Sequence, residues 1–201
     1  MGAPSIAPSA LQSFLGSTGS DSSQETQLLQ LALQIAHNLR YQHNWDDIRI
    51  HYDSTTRIKS QPPIRPLISG FPPQRLYVHP DEQIEVLQKQ KDEGKAGMPD
   101  LPREREWVLP SHLREKWSLR RFGEVFNAIS TVPPQEDGEA LFDDSKRAAH
   151  TKEGGDDSME GAPTNKWRIS QPKRLLLATL DDDSTVVYYI VHDGIVKPRQ
   201  N

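Results

Sequence analysis

The chain contains no cysteine. It therefore has no disulfide framework, no thiolate metal site and no cysteine nucleophile. Long apolar runs are also missing, since no stretch approaches the roughly 20 residues that a helix needs to span a bilayer. The N-terminal segment lacks a basic start and a long apolar stretch, so no signal peptide is expected. These absences predict a soluble protein inside the cell, with no membrane insertion.

Hydrophobic residues are scarce for a chain of this length. Of its 201 residues, 34% are hydrophobic, 26% are charged and 16 are prolines. Such a composition supports an ordered core of about 110–130 residues together with polar additions. Residues 1–22 are rich in Ser, Pro, Ala and Gly and are predicted to form a disordered tail. One domain is expected over residues 23–130 and 166–201, interrupted by an insertion at 131–165.

The insertion at 131–165 is strongly acidic. It holds nine acidic and three basic residues, so its net charge is −6 against −4 for the whole chain. Because it also has few large apolar residues, it is predicted to be disordered. The remainder carries a charge of +2, so the predicted folded part is mildly basic although the chain as a whole is acidic.

The first part of the domain combines a helix with a strand, which favours an α/β fold. A helix is predicted from an N-cap at Ser22 or Ser23 to about His43, because leucine and isoleucine recur there at three- and four-residue steps. Residues 45–52 partly alternate apolar and charged side chains and are predicted to be a strand.

The middle of the domain is rich in proline, which fixes φ and removes a donor, so only short or edge strands are expected there. The two candidate strands are Ile64–Ile68 and Arg75–His79. Further along, the pattern predicts a short helix at Ile84–Lys91, a loop at 94–102, a strand at Trp107–Leu109, and an amphipathic helix from an N-cap at Ser111 to Ile129.

The C-terminal stretch has the strongest strand pattern. Leu175–Leu180 and Val186–Val191 are apolar runs, and the acidic link between them is predicted to be a turn. A second turn is expected at Asp193-Gly194, followed by a third strand that begins at Ile195, so that the three strands form a meander.

The run Val186–Val191 is apolar on both faces. Either it lies between two covered faces of its own domain, or another chain covers one face. The three carboxylates of the preceding turn repel one another and gain from a cationic partner, but an exposed turn explains them as well. These carboxylates are Asp181, Asp182 and Asp183.

Two further features have a functional and a purely structural interpretation. Basic residues of the second helix, from Arg114 to Arg121, would meet RNA phosphates, but the interleaved glutamates favour a solvated helix face. Tyr77, His79 and Asp81 would serve general acid–base chemistry, whereas the proline after His79 favours a turn histidine. The histidines show no spacing typical of a metal site.

The segments RLYVHPDEQ, EWVLPSHLREKWSLRRF and RLLLATLDDDSTVVYYIVHDGIVKP resemble the tRNA-splicing endonuclease family, and within it the small non-catalytic Sen subunits of fungal type. The resemblance covers residues 25–130 and 166–200. It implies a small mixed-sheet α/β domain like the C-terminal domain of the tRNA-intron endonucleases, which is related to restriction nucleases.

The resemblance also implies how the chain assembles. In that family, subunits pair through their penultimate strands, and an acidic loop before that strand inserts into a basic groove of a neighbouring subunit. The loop corresponds to Asp181, Asp182 and Asp183. The pairing strand corresponds to Val186, Val187, Tyr188, Tyr189, Ile190 and Val191. A catalytic subunit is the implied partner within a four-subunit complex, and self-dimerisation of the isolated chain is left open.

Catalytic family members cut RNA with a tyrosine, a histidine and a lysine. Lys173 occupies about the position of the lysine, but no segment matches the histidine motif, so the resemblance implies a non-catalytic subunit without a cofactor. Lys173, Arg120 and Arg121 are candidate RNA contacts. The implied role is to position a catalytic subunit on pre-tRNA in the nucleus; the alternatives are an active nuclease subunit and a general RNA-binding module that uses the Arg114–Arg121 face.

Overall fold

The computed structural model describes residues 8–16, 23–52, 65–135, 137–143 and 165–196. The helices are α1 (Ala10–Leu15), α2 (Gln24–Tyr41), α3 (Pro80–Asp92), α4 (Leu119–Ala128) and α5 (Lys166–Ser170). The strands are β1 (Asp46–His51), β2 (Leu67–Phe71), β3 (Glu106–His112), β4 (Glu139–Ala140), β5 (Arg174–Leu180) and β6 (Val186–His192).

Within the described residues, the strands form one sheet in the order β4-β1-β2-β3-β5-β6. Neighbours are antiparallel except for β3 and β5, which are parallel and place Val108 beside Leu176. The predicted α/β class with a mixed sheet is therefore confirmed. Among the described strands, β6 lies at one edge of the sheet and is paired on one side only, with β5.

Helix α2 covers one face of the sheet. Its apolar stripe, which includes Ile35 and Leu39, packs against Ile48, Ile68 and Leu176 in one fully buried cluster. The side chain of Ser23 accepts a hydrogen bond from the backbone N–H of Thr26, so it is the N-cap, as one of the two predicted positions. Helical periodicity and capping thus located this helix correctly.

Helix α4 packs on the opposite face, where Phe126 contacts the cluster around Trp107, Leu109 and Leu175. The prediction of a helix from Ser111 to Ile129 was wrong in its first half, because β3 continues to His112 and the helix begins only after Ser118. The Ser118 side chain accepts from the N–H of Arg121 and is the N-cap.

Pro110 explains why the start of this helix was misplaced. Proline is rare inside strands, since it removes a ladder donor, and Pro110-Ser111 resembles a helix start. In the structure β2 pairs with β3 only as far as Val108, so Pro110 has a strand neighbour on one side alone, at Ala178 of β5. The missing N–H therefore breaks no ladder bond to β2.

The proline-rich section differs from the prediction in two places. The strand β2 begins at Leu67, three residues after the predicted start at Ile64, which lies outside the described residues. Arg75–His79 form no strand; the segment is irregular and leads into α3, because Arg75 turns inward to contact Glu82 and Glu104. The predicted helix at Ile84–Lys91 is confirmed, and it begins four residues earlier at Pro80.

The C-terminal strands form a hairpin of β5 and β6. The backbone N–H of Asp193 donates a hydrogen bond to the carbonyl oxygen of Lys173 at 2.8 Å. This bond joins the two strands at the end of the hairpin that lies opposite the turn. The predicted third strand at Ile195 and Val196 is wrong for these two described residues, which have no strand neighbour, and Ile195 is almost fully exposed.

Two ordered elements fall inside segments that the composition assigned to disorder. Helix α1 lies within residues 1–22, where Phe14 stacks on Phe142 at 5.3 Å, and β4 lies within 131–165. Residues 144–164 and most of the remaining tail lie outside the described residues, and the bounds of the domain stay predictions. None of the described helices is long and apolar enough to cross a membrane.

Candidate subunit interface

The outer edge of β6 presents apolar side chains to solvent. Val187, Tyr189 and Ile190 are 42%, 54% and 41% exposed. β-Branched and aromatic residues favour the strand conformation, and the turn before β6 returns the chain so that β6 pairs with β5 in an unbroken register from Val186 to His192. An apolar edge strand of this length is a template for another chain.

The other side chains of the predicted interface contact the protein's own core. Val186 and Tyr188 pack against the cluster under α2, and Val191 packs against the cluster under α4. The Tyr188 hydroxyl donates to Oδ1 of Asn38 at 2.6 Å, and burial raises the pKa of Tyr188. The six residues of the predicted pairing strand therefore divide into three that face inward and three that are exposed.

The acidic turn has a defined backbone geometry. The N–H of Asp181 donates to the carbonyl of Thr185 at 2.9 Å, and Ser184 occupies the left-handed region with φ 70°. The carboxylate of Asp183 accepts from the backbone N–H of Thr185 at 2.8 Å, and this bond lowers the pKa of Asp183. Such Asx bonding explains why aspartates are suited to the turn.

Two of the carboxylates of the turn, those of Asp182 and Asp183, differ in their partners. Asp182 contacts Nε2 of His112 at 3.1 Å and also the guanidinium of Arg114. The N–H of Arg114 donates to Nδ1 of His112 at 3.3 Å, so the end of β3 is arranged around this carboxylate. Asp182 thus has a cationic partner within its own chain, whereas Asp183 is exposed and bonds to the turn backbone.

Lys173 lies at the end of α4. Its Nζ donates to the carbonyl oxygen of Phe126 at 2.8 Å. A cation is favourable at the C-terminus of a helix, where carbonyls have no intrahelical partner. In this structure the ammonium therefore caps a helix, although the sequence also made it a candidate RNA contact.

The arginines near α4 are paired with carboxylates. Arg120 contacts Glu124 at 3.1 Å, and Arg121 contacts Glu115 at 2.7 Å and lies 4.6 Å over the ring of Trp117. Each pairing reduces the positive potential that would attract phosphate. The geometry of these described residues therefore gives little support to a general RNA-binding face at Arg114–Arg121.

A buried charge cluster behind β5 was missed by sequence reasoning. Arg174 forms hydrogen bonds with Glu106, at 3.2 Å through Nε, and with Glu104 at 2.7 Å. Arg168 also contacts Glu106, at 3.1 Å, and Arg75 joins Glu104 to Glu82. The signal in the sequence was the presence of charged residues at the starts of two apolar strands, β3 and β5.

A second missed network contains Ser69, His51 and Asp137. Nε2 of His51 is 2.8 Å from Oγ of Ser69, and Nδ1 is 4.0 Å from a carboxylate oxygen of Asp137. This order resembles the serine, histidine and acid of hydrolases. However, Ser69 is 0% exposed, so no substrate reaches its hydroxyl. Its Oγ also accepts from Arg105 at 2.9 Å, so the network joins β1 and β2 to the residue that precedes β3.

The candidate acid–base group at Tyr77, His79 and Asp81 is a helix cap. Nδ1 of His79 accepts from the backbone N–H of Asp81 at 3.2 Å, and its buried ring stacks on Trp167 at 5.5 Å. His79 therefore has a structural role, as the N-cap of α3 and not as the predicted turn residue. Among the described residues, no three histidine, aspartate or glutamate side chains are grouped so that they would hold a metal ion.

Comparison with known proteins confirms the resemblance noted in the sequence. The model of the family described as Sen15 protein matches residues 34–141 and 157–201. A probable tRNA-splicing endonuclease subunit, tsp-1 of Neurospora crassa, is 43% identical over 180 residues, which are 89% of this chain and 69% of the relative. The probable tRNA-splicing endonuclease subunit sen15 of Schizosaccharomyces pombe is 26% identical over 167 residues, which are 82% of this chain and 78% of that relative. The chain belongs to the Sen15 protein family.

Proposed function

We propose that this chain is a non-catalytic structural subunit of a tRNA-splicing endonuclease complex, which excises introns from pre-tRNA and leaves 2′,3′-cyclic phosphate and 5′-hydroxyl ends. The names of the two relatives support the complex. The observation that carries the structural role is the edge position of β6, which pairs on one side only among the described strands and exposes Val187, Tyr189 and Ile190.

A catalytic subunit docks by adding its own strand to β6. Backbone hydrogen bonds along the edge supply affinity, and alternate side chains supply specificity. Tyr189 is the anchor of this contact, because it is the large aromatic side chain that faces outward, and aromatic residues dominate binding hot spots. The resulting pair joins a second pair to form a four-subunit complex in the nucleus.

The acidic turn serves the second level of assembly. Asp181 and Asp183 dock into a basic groove of a neighbouring subunit, where complementary charge fixes the register. Asp182 holds the turn in position through His112 and Arg114 of its own chain. The turn immediately precedes β6, so the two proposed contacts use neighbouring segments of the chain.

The lack of catalysis is supported by the chemistry around Lys173. Its ammonium caps α4, and the sequence has no match to the family's histidine motif. Cleavage needs proton transfer at both the attacking hydroxyl and the leaving oxygen, and general acid–base groups contribute on the order of 10²–10⁴-fold. A lysine without such partners does not run the reaction.

The proposal is tested by purification and cleavage. The tagged intact chain is expressed in its own host, and co-purifying proteins are identified; we expect endonuclease subunits in constant proportion. Intron-containing pre-tRNA should be cleaved by this complex and left intact by the chain purified alone. Cleavage by the isolated chain would contradict a non-catalytic role, and absence of endonuclease subunits from the purified material would contradict the complex.

A further inference from the structure

The two halves of β6 are covered differently on the face that carries α2. Val186 and Tyr188 lie under the helix, where Tyr188 bonds to Asn38. Ile190 is the next residue on the same face, paired with Leu176 of β5, and it is 41% exposed. Helix α2 therefore leaves the C-terminal half of this strand face open at Ile190.

Leu76 flanks the open half. It belongs to the irregular segment before α3 and is 39% exposed, although it is a large apolar side chain. Leu76 and Ile190 line the same recess at the edge of the sheet. The other residues that line it are Glu106, Arg174, Leu175 and Leu176.

The charged residues of the recess are matched to each other. Arg174 bonds to Glu106 and Glu104, and its guanidinium lies 5.2 Å over the ring of Tyr77. A charged occupant would disturb this pair and lose its own hydration, whereas an apolar side chain would keep the pair intact and shield it from water. The recess is therefore suited to an aliphatic occupant.

Pairing of a partner strand with β6 would bring such a side chain to the recess. When a strand pairs with an edge, the residue directly opposite projects to the same face, with Cβ atoms about 4.5–5.5 Å apart. A partner residue opposite Ile190 therefore projects to the face that carries both Ile190 and Leu76, where its side chain reaches the recess across Ile190 and stays clear of α2.

We propose that Leu76 and Ile190 form a socket for one aliphatic side chain of the partner's docking strand, and that Leu76 is a specificity-determining residue of the interface. This inference rests on the proposed pairing through β6. It adds a contact outside the strand itself, in a segment that the sequence analysis assigned to a different strand.

The first test measures dissociation of the heterodimer. The full chain is co-expressed with the endonuclease subunit that co-purifies with it, and mass photometry across a dilution series gives the Kd. Leu76→Asp should raise the Kd by about tenfold or more, because a charge would be buried without a partner. Ile84→Asp is the matched control, since Ile84 is 65% exposed and does not line the recess.

A reference variant separates this inference from the proposed function. Val187→Glu changes the edge strand itself and should prevent pairing. If Val187→Glu prevents pairing and Leu76→Asp binds like the Ile84→Asp control, the socket is wrong and the edge contact stands. If Val187→Glu also pairs normally, docking through β6 is wrong. Unchanged thermal unfolding of each variant verifies that the fold is intact.

The second test locates the occupant. Because the chain has no cysteine, Leu76→Cys provides a single attachment point for a benzophenone maleimide. Irradiation of the assembled complex followed by peptide mass spectrometry should place the cross-link on an apolar segment of the partner, at several times the yield obtained from Ile84→Cys. Equal yields from the two positions, or cross-links only within the chain itself, would overturn the proposal.

Discussion

The hydroxyl of Tyr188 donates a hydrogen bond of 2.6 Å to Oδ1 of Asn38, and this bond joins the edge strand β6 to α2. The two residues are 150 positions apart in the sequence. The neighbouring Tyr189 is 54% exposed. Adjacent tyrosines of the same strand thus have different roles, one within the fold and one at its surface.

This difference predicts that only one of the two hydroxyls contributes to stability. Tyr188→Phe should lower the free energy of unfolding by about 1 kcal/mol, because the partly buried oxygen of Asn38 loses its donor. Tyr189→Phe is the matched control and should leave the free energy of unfolding unchanged. Urea denaturation monitored by tryptophan fluorescence measures both. Equal stability of the two variants would show that the Tyr188 bond contributes nothing.

The exposed edge predicts a loss of pairing without a loss of folding. Val187→Glu and Ile190→Glu should each abolish co-purification of the catalytic subunit, because strand addition would bury an unpaired charge. Ile84→Glu on α3 is the control and should pair normally. Circular dichroism of the isolated chain should be the same for all three variants. Normal pairing by both edge variants would refute the interface.

Local sequence patterns were sufficient to predict α2 and β1. Ser23 caps a helix whose apolar stripe faces the sheet, and alternation around Ile48 and Ile50 gave the following strand. The same approach failed at Pro110, because the strand there is set by parallel pairing with Ala178, which is 68 residues away in the sequence. Long-range pairing of this kind leaves no local periodicity.

The candidate interface was predictable in outline only. The lack of alternation in β6 indicated two apolar faces, but the packing of the sheet and α2 determines which side chains are exposed and that Tyr188 points inward. The contact between Arg174 and Glu106 was not predictable, since hydropathy patterns treat each charged residue as exposed. Their pairing joins residues 68 positions apart.

The buried charge cluster predicts that removing one carboxylate charge will lower stability strongly. Glu106→Gln should lower the free energy of unfolding by about 3–5 kcal/mol, because Arg168 and Arg174 would keep their charges in a buried site without the carboxylate. Glu124→Gln makes the same chemical change in an exposed pair with Arg120. There the effect should be below about 1 kcal/mol. Urea denaturation compares the two, and similar losses would contradict the cluster's role.

His51 predicts how stability depends on pH. Burial lowers the pKa of His51 from its usual 6.5, with Asp137 opposing and Arg49 adding to the shift. Because the folded state holds the ring neutral, the unfolded state binds more protons below about pH 6.5, and the free energy of unfolding falls as the pH falls. The pKa values of His37 and His192 are lowered by burial as well, so they contribute to the same slope.

The contribution of His51 can be separated with His51→Gln. At about pH 8 the variant should be less stable than the wild type, because the hydrogen bond between the His51 ring and Ser69 is lost. Between about pH 7 and pH 5, however, its free energy of unfolding should fall less steeply than that of the wild type. Urea denaturation at each pH gives both slopes. Identical slopes would show that His51 takes up its proton equally in the folded and unfolded states.

The acidic turn predicts an effect confined to the larger assembly. Replacing Asp181, Asp182 and Asp183 together by lysine should leave the heterodimer intact, because the proposed heterodimer contact runs through β6. It should weaken the proposed four-subunit complex by removing its charge complementarity. Asp182→Asn alone releases only the internal contact with His112 and Arg114, so it should have a much smaller effect on the complex. Mass photometry resolves the two species. Loss of the heterodimer in the triple variant would show that the turn acts in strand pairing instead.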